Sequence, residues 1–296
     1  MLVKLFIHLV CIQQNINIKL FSLLNMGLQI ASINSGSNGN CYYVGNENDA
    51  VLIDVGISCR ETEIRMKLIG LDIKKVKAVF VSHEHTDHIK GVATLAHKYN
   101  LPIYITSATA KKLKLIKHLA KPFTEHNAIH VGELLVTPFL KNHDAADPHS
   151  FIVTHNDITV GVFTDIGIVC NNLIQYFKQC NAAFLEANYD EEMLDNGGYP
   201  QHLKNRIKSN VGHLSNTQAL DLFINHRSNK LSHLVLSHLS KDNNSPQLAK
   251  DLFESHTNET KIIVADRYSA SEVYTITNGA AITIKKITKP QQLVLF

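Results

Sequence analysis

Residues 83–88 read His-Glu-His-Thr-Asp-His, and this stretch decides the fold that we expect. It lies between an apolar run typical of a buried strand and a helical pattern. Because alternate side chains of an extended segment point the same way, we expect His83 and His85 to bind one metal ion together. Asp87 and His88 begin the helix and are expected to face a neighbouring metal position. The alternative is a solvated polar loop, but ligand-type residues at this spacing favour a metal site.

Short apolar runs alternate with helical patterns along most of the chain. We expect strands at 28–33, 41–44, 50–53, 76–82, 102–106, 182–185, 231–237 and 261–265, and a strand-rich stretch at 129–162. We expect helices at about 58–69, 89–96, 107–119, 171–179 and 246–255 and from Ser215 onward, with capping boxes at Ser58 and Ser215. Strands grouped in each half, with helices interleaved, predict an α/β sandwich. Two expected strands end in Ser-His, at 82–83 and 237–238, which would let two halves of the chain build one site.

The composition is that of an ordinary folded protein. Of the 296 residues, 45% are hydrophobic and 19% are charged, which excludes a disordered chain and allows a core of useful size. No apolar run reaches the roughly 20 residues of a membrane-spanning helix, so we expect no stable membrane association. The net charge of +3 neither predicts a polyanionic partner nor opposes one. The five cysteines form no C-x-x-C pair, which favours a reducing cytoplasm over a disulfide framework or a cysteine zinc site.

Residues 1–25 are apolar and differ from the orderly pattern that follows them. Lys4 and the apolar residues after it suggest a signal peptide, but no small-residue cleavage site follows. We prefer the interpretation that the working protein begins at Met26. We therefore expect an N-terminal extension at 1–25 and, because no linker composition interrupts the rest, one domain at 26–296.

With this motif the chain resembles the metallo-β-lactamase fold superfamily. The resemblance implies that 26–296 is a hydrolase domain, a four-layer αββα sandwich, with two divalent metal ions, zinc or manganese, as cofactors. It implies that Asp54, at the end of an expected strand, orients the metal-binding loop. The implied ligands are His83, His85 and His143 for one metal, Asp87, His88 and His238 for the other, and Asp165 across both.

Each position carried over from the resemblance has a competing explanation. An aspartate at a strand end is frequently only a turn residue. His143 lies beside two other candidate ligands, Asp144 and His149. His238 shares its expected strand with His233, although ligands in this fold follow the carboxyl end of a strand, where His238 lies.

Further stretches resemble the bacterial YycJ/WalJ-like branch of the superfamily, at 35–41, 184–190, 212–216 and 236–244. That branch implies a cytoplasmic phosphodiesterase, a 5′-to-3′ exonuclease with DNA as its substrate. By similarity to the related tRNA 3′-processing nucleases, His213 would protonate the leaving oxygen and Glu186 would hold the tautomer of His213. The competing explanation for His213 is support of the helix cap at Ser215.

Two divalent ions roughly 3.5–4 Å apart would lower the pKa of a bridging water and neutralise the charge of a phosphodiester. We therefore expect a metal-bridged hydroxide as the nucleophile, with Asp87 counted as a catalytic residue as well as a ligand. A basic approach would favour nucleic acid and make its binding salt-sensitive. The candidates are Lys111, Lys112, Lys114, Lys117 and Lys121, which fit an ordinary solvated helix face equally well, and Lys204, Arg206 and Lys208, which lie near His213. With no tryptophan and 7% aromatic residues, there is little sign of a base-stacking platform.

Three other functions fit the same fold. The first is hydrolysis of a small ester, thioester or lactam, which activity on such acyl substrates would reveal. The second is electron transfer at an iron site, but those relatives place Glu where His85 stands and usually carry a flavin domain. The third is a scaffold without catalysis, which the complete set of implied ligands opposes.

Overall fold

The structure is a computed structural model that describes residues 27–113 and 118–278. Its strands are β1 (Leu28–Asn34), β2 (Cys41–Gly45), β3 (Ala50–Ile53), β4 (Val76–Phe80), β5 (Ile103–Tyr104), β6 (Ala120–Lys121), β7 (Ile129–Val131), β8 (Leu134–Leu140), β9 (His149–His155), β10 (Ile158–Phe163), β11 (Ala182–Glu186), β12 (His233–Ser237), β13 (Lys261–Val264) and β14 (Tyr274–Ile276). Its α-helices are α1 (Cys59–Leu68), α2 (Thr86–Ile89), α3 (Val92–Tyr99), α4 (Ser107–Ala110), α5 (Asn171–Phe177), α6 (Glu191–Asn196), α7 (Gln201–Ile207), α8 (Asn216–His226) and α9 (Pro246–Glu254). The expected extension at 1–25, the start at Met26, and Lys114 and Lys117 lie outside the described residues, and the single domain at 26–296 stays a prediction.

The strands form two seven-stranded sheets. The first has the spatial order β14-β1-β2-β3-β4-β5-β6, and the second has the order β13-β12-β11-β10-β9-β8-β7. In the first sheet β3, β4, β5 and β6 run parallel, and in the second β10, β11, β12 and β13 do. The remaining neighbours pair antiparallel.

The two sheets pack face to face around a shared apolar core. Ile30 and Phe80 of the first sheet belong to one buried cluster with Val153 and Phe184 of the second. Successive side chains of a strand alternate between its two faces. In β2, accordingly, Tyr42 joins this central cluster while Tyr43 joins the cluster on the outer side of the first sheet.

Helices cover the outer face of each sheet. Met66 of α1 and Leu95 of α3 complete the cluster outside the first sheet. Phe177 of α5, Phe223 of α8 and Phe253 of α9 complete the cluster outside the second. Helix, sheet, sheet and helix therefore follow one another, and the predicted four-layer αββα sandwich is confirmed.

The carboxyl ends of the parallel strands meet at one edge of the sandwich, the place where open α/β sheets carry their sites. Most of the residues singled out for chemistry follow or end these strands. Asp54 follows β3, the 83–88 motif follows β4, Asp165 follows β10, Glu186 ends β11 and His238 follows β12.

The two predicted capping boxes differ in outcome. At α8, the Ser215 side chain accepts from the Gln218 amide and the Gln218 side chain accepts from the Ser215 amide, as predicted. At α1, Ser58 accepts from the Glu61 amide, but the Glu61 carboxylate pairs with Arg65 at 2.7 Å instead of returning to the cap. The second half of that box is therefore absent.

The helix predicted over 107–119 was wrong in its length. Helix α4 ends at Ala110, because the chain beyond it is used as a sheet edge. The Leu119 carbonyl accepts from the Ile103 amide at 2.8 Å, and β6 pairs with β5 directly after it. Leu119 is buried there, directly before β6, so this apolar residue packs at the sheet edge instead of on a helix face.

Among the described helices, none combines the length and the apolar character that crossing a bilayer demands.

Candidate metal centre

The 83–88 motif is a sharp turn held against the loop that follows β3. His83 and His88 are fully buried, and His85 caps the amino end of α2. The turn lies so close to Gly56 that a Cβ there would meet the Asp87 carbonyl oxygen at 1.7 Å, so only glycine fits. Backbone hydrogen bonds then fix the direction in which the motif's side chains point, with the Val55 amide donating to the His88 carbonyl at 2.9 Å.

The structure brings together the first predicted group of donors. His83, His85 and His143 offer ring nitrogens that all lie within 4.8 Å of one another. His143 Nε2 is 3.4 Å from His85 Nδ1, while His143 Nδ1 lies 3.1 Å from the Gly212 carbonyl oxygen, to which it can donate. That second contact orients the His143 ring, so that its Nε2 faces the other two histidines.

The second predicted group also assembles. Asp87, His88 and His238 place their ligand atoms within 4.8 Å of one another. Asp87 Oδ2 is 3.6 Å from His88 Nε2 and 3.5 Å from His238 Nε2. Two imidazoles and one carboxylate therefore converge, against three imidazoles in the first group.

Asp165 lies between the two groups. Its Oδ2 atom is 3.0 Å from His88 Nε2, and its Oδ1 atom is 3.7 Å from His143 Nε2. The side chain is buried, and its Oδ1 atom also lies 3.6 Å from His238 Nδ1, so the carboxylate approaches histidines of both groups. This placement matches the bridging role that the resemblance implies.

Contacts with Asp54 and Ser82 fix the orientation of two histidine rings, one in each group of donors. Asp54 accepts from the Ser82 amide at 2.8 Å and from the Ser82 hydroxyl at 2.7 Å, and its Oδ2 atom lies 2.7 Å from His88 Nδ1. Ser82 Oγ also lies 2.9 Å from His83 Nδ1. In this network His83 and His88 each carry a proton on Nδ1, the atom that faces Ser82 or Asp54. Each Nε2 is therefore free to act as a ligand. Asp54 thus orients the loop as expected.

Backbone strain concentrates at this edge of the sheets. Asp54, Asp165 and His238 have φ values of 60°, 55° and 56°, in the left-handed region that non-glycine residues rarely adopt. Each lies within two residues of a strand's carboxyl end. Such strain persists only where the surroundings impose it, and it is typical of functional sites.

Burial disfavours protonation of the imidazoles, and neighbouring carboxylates reverse this at the second group. Burial lowers the pKa of His83 well below its usual range and that of His143 to about 4. Burial acts on His88 and His238 in the same way, but the Asp165 carboxylate and other acids raise the pKa of His88 well above its usual range and that of His238 to about 10. The buried carboxylates therefore favour the protonated, positively charged forms of His88 and His238. The same negative charge would stabilise a metal cation at this position.

Glu186 is a fully buried carboxylate that contacts two histidines. Its Oε1 atom lies 2.8 Å from His213 Nδ1 and 3.0 Å from His238 Nδ1, and its Oε2 atom accepts from the Ile166 and Leu214 amides. Burial opposes its ionisation, but the charge of His213 lowers the pKa of Glu186 to about 2. The carboxylate is therefore positioned to receive Nδ1 protons from both rings.

The donor set fits divalent metal ions. The buried Nε2 atoms of His83 and His238 have no hydrogen-bond partner among the described residues. Two donors of a tetrahedral zinc site stand roughly 3.3 Å apart, as follows from Zn–N distances of about 2.0–2.1 Å. The spacings of 3.4 Å between His143 and His85 and of 3.5 Å between His238 and Asp87 are close to that value. Imidazole and carboxylate together suit zinc and manganese.

Comparison with known proteins agrees with this arrangement. The family model of the metallo-beta-lactamase superfamily matches residues 35–151. Exodeoxyribonuclease YycJ of Bacillus anthracis is 37% identical over 76% of this chain and 87% of its own. The chain belongs to the metallo-β-lactamase superfamily, in the YycJ/WalJ branch. Exodeoxyribonuclease WalJ of Streptococcus pneumoniae strain D39 is 31% identical over 76% of this chain and 86% of its own.

A solved structure supports the fold of this metallo-β-lactamase superfamily member. The metallo-beta-lactamase fold protein YhfI from Bacillus subtilis superposes with a TM-score of 0.64 at 17% identity, covering 83% of this chain and 99% of its own. Membership in the superfamily and the clustered donors together identify the chain as a metal-dependent hydrolase.

The competing histidines lie outside the groups of donors in this superfamily member. His149 Nδ1 lies 3.1 Å from the Asp147 carbonyl oxygen, and His233 Nδ1 lies 3.0 Å from the Ser232 hydroxyl. Asp144 approaches His143 Nε2 at 3.4 Å, but its other oxygen pairs with Arg206 at 2.5 Å.

The basic residues near His213 each contact a group of the protein, and one of them is buried, contrary to expectation. Lys204 is buried and donates to the Asp195 carbonyl at 2.7 Å, so it is unavailable to a polyanion and that prediction was wrong. Lys208 pairs with the Asp195 carboxylate, and Arg206 with Asp144. These contacts stabilise the α6–α7 hairpin and join it to the loop that carries His143. In the first basic group, Lys111, Lys112 and Lys121 are exposed.

Polar residues that sequence reasoning missed also hold the centre. Asn40 Nδ2 is 3.3 Å from Asp87 Oδ2 and 3.1 Å from His88 Nε2, and the Asn40 amide donates to the Asp87 carbonyl. The Ser35 hydroxyl accepts from the His238 amide at 2.7 Å. The 35–41 stretch was recognised by resemblance, but nothing in it indicated these contacts.

Lys141 is a second residue that sequence reasoning missed. It is buried, and its ammonium donates to the Thr164 carbonyl at 2.6 Å, directly before Asp165. No sequence pattern around Lys141 indicates that its side chain is buried. Its contact fixes the backbone from which the Asp165 carboxylate projects.

Proposed function

We propose that the chain is a dinuclear metal-dependent phosphodiesterase, a 5′-to-3′ exonuclease that acts on DNA. The observation that carries this proposal is the meeting of two groups of donors at Asp165. The relatives named exodeoxyribonuclease, which align over most of their own length, support the substrate class. The preference for DNA and the 5′-to-3′ polarity rest on the resemblance to the YycJ/WalJ branch. Both are tested below.

Each proposed ion takes its ligands from both halves of the sandwich. They are His83, His85 and His143 for one ion, Asp87, His88 and His238 for the other, and Asp165 for both. Divalent ions held in this way would supply an acidified water and neutralise the phosphodiester's charge. Asp54, Ser82 and Glu186 hold the proposed ligand rings in place through the contacts described above.

We propose that His213 donates a proton to the leaving oxygen. Its Nδ1 atom faces Glu186 at 2.8 Å, which leaves Nε2 as the atom that can reach substrate, and its side chain is 17% exposed. Glu186 is then a positioning residue, because it fixes the tautomer of His213 without touching substrate. Asp87, with its side chain 24% exposed at the open side, would accept a hydrogen bond from the attacking water.

The proposed location is the cytoplasm. The cysteines among the described residues, Cys41, Cys59, Cys170 and Cys180, are free, as a reducing compartment would leave them. Nucleic acid is the proposed substrate partner.

Degradation of end-labelled oligonucleotides tests the proposal. DNA labelled at its 5′ end should release labelled mononucleotide at the earliest times, while 3′-labelled DNA shortens progressively. RNA should be degraded more slowly, and small esters, thioesters and lactams should not be hydrolysed. Release from the 3′ end first would overturn the polarity, and hydrolysis of acyl substrates without nuclease activity would overturn the phosphodiesterase.

The variant His213→Ala tests the role of the general acid. We expect kcat on DNA to fall about 10²- to 10⁴-fold with the metal content unchanged. The loss should be much smaller on bis(p-nitrophenyl) phosphate, whose leaving group needs no proton. Gln218→Ala is the matched control, because it breaks the capping box at α8 without touching the centre. If Gln218→Ala reproduced the defect, His213 would act through the helix cap.

A further inference from the structure

A tight turn between β13 and β14 presents Tyr268 to solvent. The Asp266 carboxylate accepts from the amides of Tyr268 and Ser269, which closes the turn. Tyr268 itself is 66% exposed. Among the described residues, the other exposed large apolar side chains are all aliphatic, so Tyr268 is the one exposed ring of a phenylalanine or tyrosine.

Arg267 fixes this turn to the two loops that border the candidate metal centre. Its Nη2 atom donates to the Leu239 carbonyl at 2.6 Å, and its Nη1 atom lies 3.2 Å from both the Ser37 hydroxyl and the Asn38 side-chain oxygen. The Asn38 side chain donates back to the Arg267 carbonyl at 2.9 Å. The backbone that carries Tyr268 is therefore held rigidly.

Both of these loops lead directly into the centre. Leu239 follows His238, and the loop that holds Ser37 and Asn38 ends at Asn40, whose amide donates to the Asp87 carbonyl at 2.7 Å. The turn consequently sits at the rim of the site.

Lys241 lies on the same rim, two residues beyond Leu239. It is exposed, and no carboxylate of the described residues lies within ion-pair distance of its ammonium. Arg267 and Leu239 are joined by one hydrogen bond, and the exposed ring and the unpaired cation lie one and two residues beyond them along the chain.

We propose that Tyr268 and Lys241 form a nucleotide subsite, in which the tyrosine ring stacks on a nucleobase and the lysine pairs with a backbone phosphate. Every nucleobase offers a flat face, so such a subsite tolerates any sequence, as an exonuclease requires. The rigid turn reduces the entropy lost on stacking. This inference rests on the proposed function and adds the means by which the strand is held beside the centre.

The test compares Tyr268→Ala with Tyr268→Phe on intact and abasic single-stranded DNA. On intact DNA, Tyr268→Ala should raise KM about 5- to 100-fold with kcat nearly unchanged, and Tyr268→Phe should retain the wild-type KM. On DNA with abasic residues at its 5′ end, wild type and Tyr268→Ala should have equal KM values, because there is no base to stack. The exposed side chain makes a folding defect unexpected, and the thermal midpoint of each variant checks this.

Lys241→Gln tests the phosphate contact. We expect a higher KM on intact and abasic DNA alike, and a slope of log KM against log salt that is reduced by about one. An unchanged KM in Tyr268→Ala, or an equal rise on intact and abasic DNA, would overturn the stacking role. An unchanged salt slope in Lys241→Gln would overturn the phosphate contact. If the wild type degraded no nucleic acid, the proposed function would fail instead, so the two failures are distinguishable.

Discussion

Replacing Asp87 by alanine is expected to abolish hydrolysis while leaving the chain folded. Asp87 offers the carboxylate of the second group of donors, 3.6 Å from His88 Nε2 and 3.5 Å from His238 Nε2. Losing it should cost one of the two proposed ions and lower kcat/KM at least about 10³-fold, because a correctly placed ion contributes several kcal/mol in the transition state. Steady-state kinetics on labelled DNA measures the loss.

The fold should tolerate this change. The Asp87 side chain is a quarter exposed, and its hydrogen bond to the Asn40 side chain is long, at 3.3 Å. Asp147→Ala is the matched control, since Asp147 is a carboxylate on the loop that follows His143, and within residues 27–113 and 118–278 its one ion-pair partner is His149, at 3.7 Å. Circular dichroism should show both variants folded, with the control active. An Asp87→Ala enzyme of wild-type activity would contradict the account.

Chelation of metal is expected to destabilise the protein strongly as well as to inactivate it. Asp165 is a buried carboxylate among the proposed ligands, and removing the ions leaves its charge to the surrounding imidazoles alone, beside the buried acids Asp54 and Glu186. At metal concentrations of 100 to 1,000 times Kd, binding contributes roughly 3–4 kcal/mol. We therefore expect the thermal midpoint to fall by about 5–15 °C in EDTA and to recover when zinc or manganese is restored.

The control for chelation is the Asp87→Ala variant in the same buffers. With one ion already lost, its midpoint should fall by less than that of the wild type. A wild-type midpoint that EDTA leaves unchanged would mean that the buried acids are satisfied by the protein alone.

The local part of the centre was predictable from the residues themselves. His83, His85, Asp87 and His88 lie within six positions, so a strand followed by a helix turn already dictates which side chains share a direction. The spacing of these residues therefore predicts the local part of the centre, and no knowledge of the tertiary structure is needed.

The distant part required the resemblance. His143, Asp165 and His238 follow β8, β10 and β12, which are far apart in sequence, and only the folding of the second sheet brings these three strand ends to one edge. The Ser-His pairs at 82–83 and 237–238 hinted at this convergence: the first follows β4 and the second begins at the last residue of β12, and each of these is a parallel strand of its own sheet. Composition and periodicity could not have distinguished His143 from Asp144 or His149.

Contacts that depend on tertiary structure escaped prediction altogether. The hydrogen bonds of Asn40 and Ser82 join loops that follow different strands, and no local pattern encodes them. The same reason explains the error at 107–119, where pairing of β6 with β5 overrides a helical pattern. The α6–α7 hairpin was missed because its short helices depend on a small cluster around Leu194 and Ile207.

The most direct measurement is the number of metal ions that each chain retains. Elemental analysis of the full-length protein, loaded with zinc or manganese and freed of excess metal, should give two ions per chain for the wild type and one for Asp87→Ala. A wild-type protein that retains one ion or none after loading would contradict the central claim that seven side chains hold a metal pair.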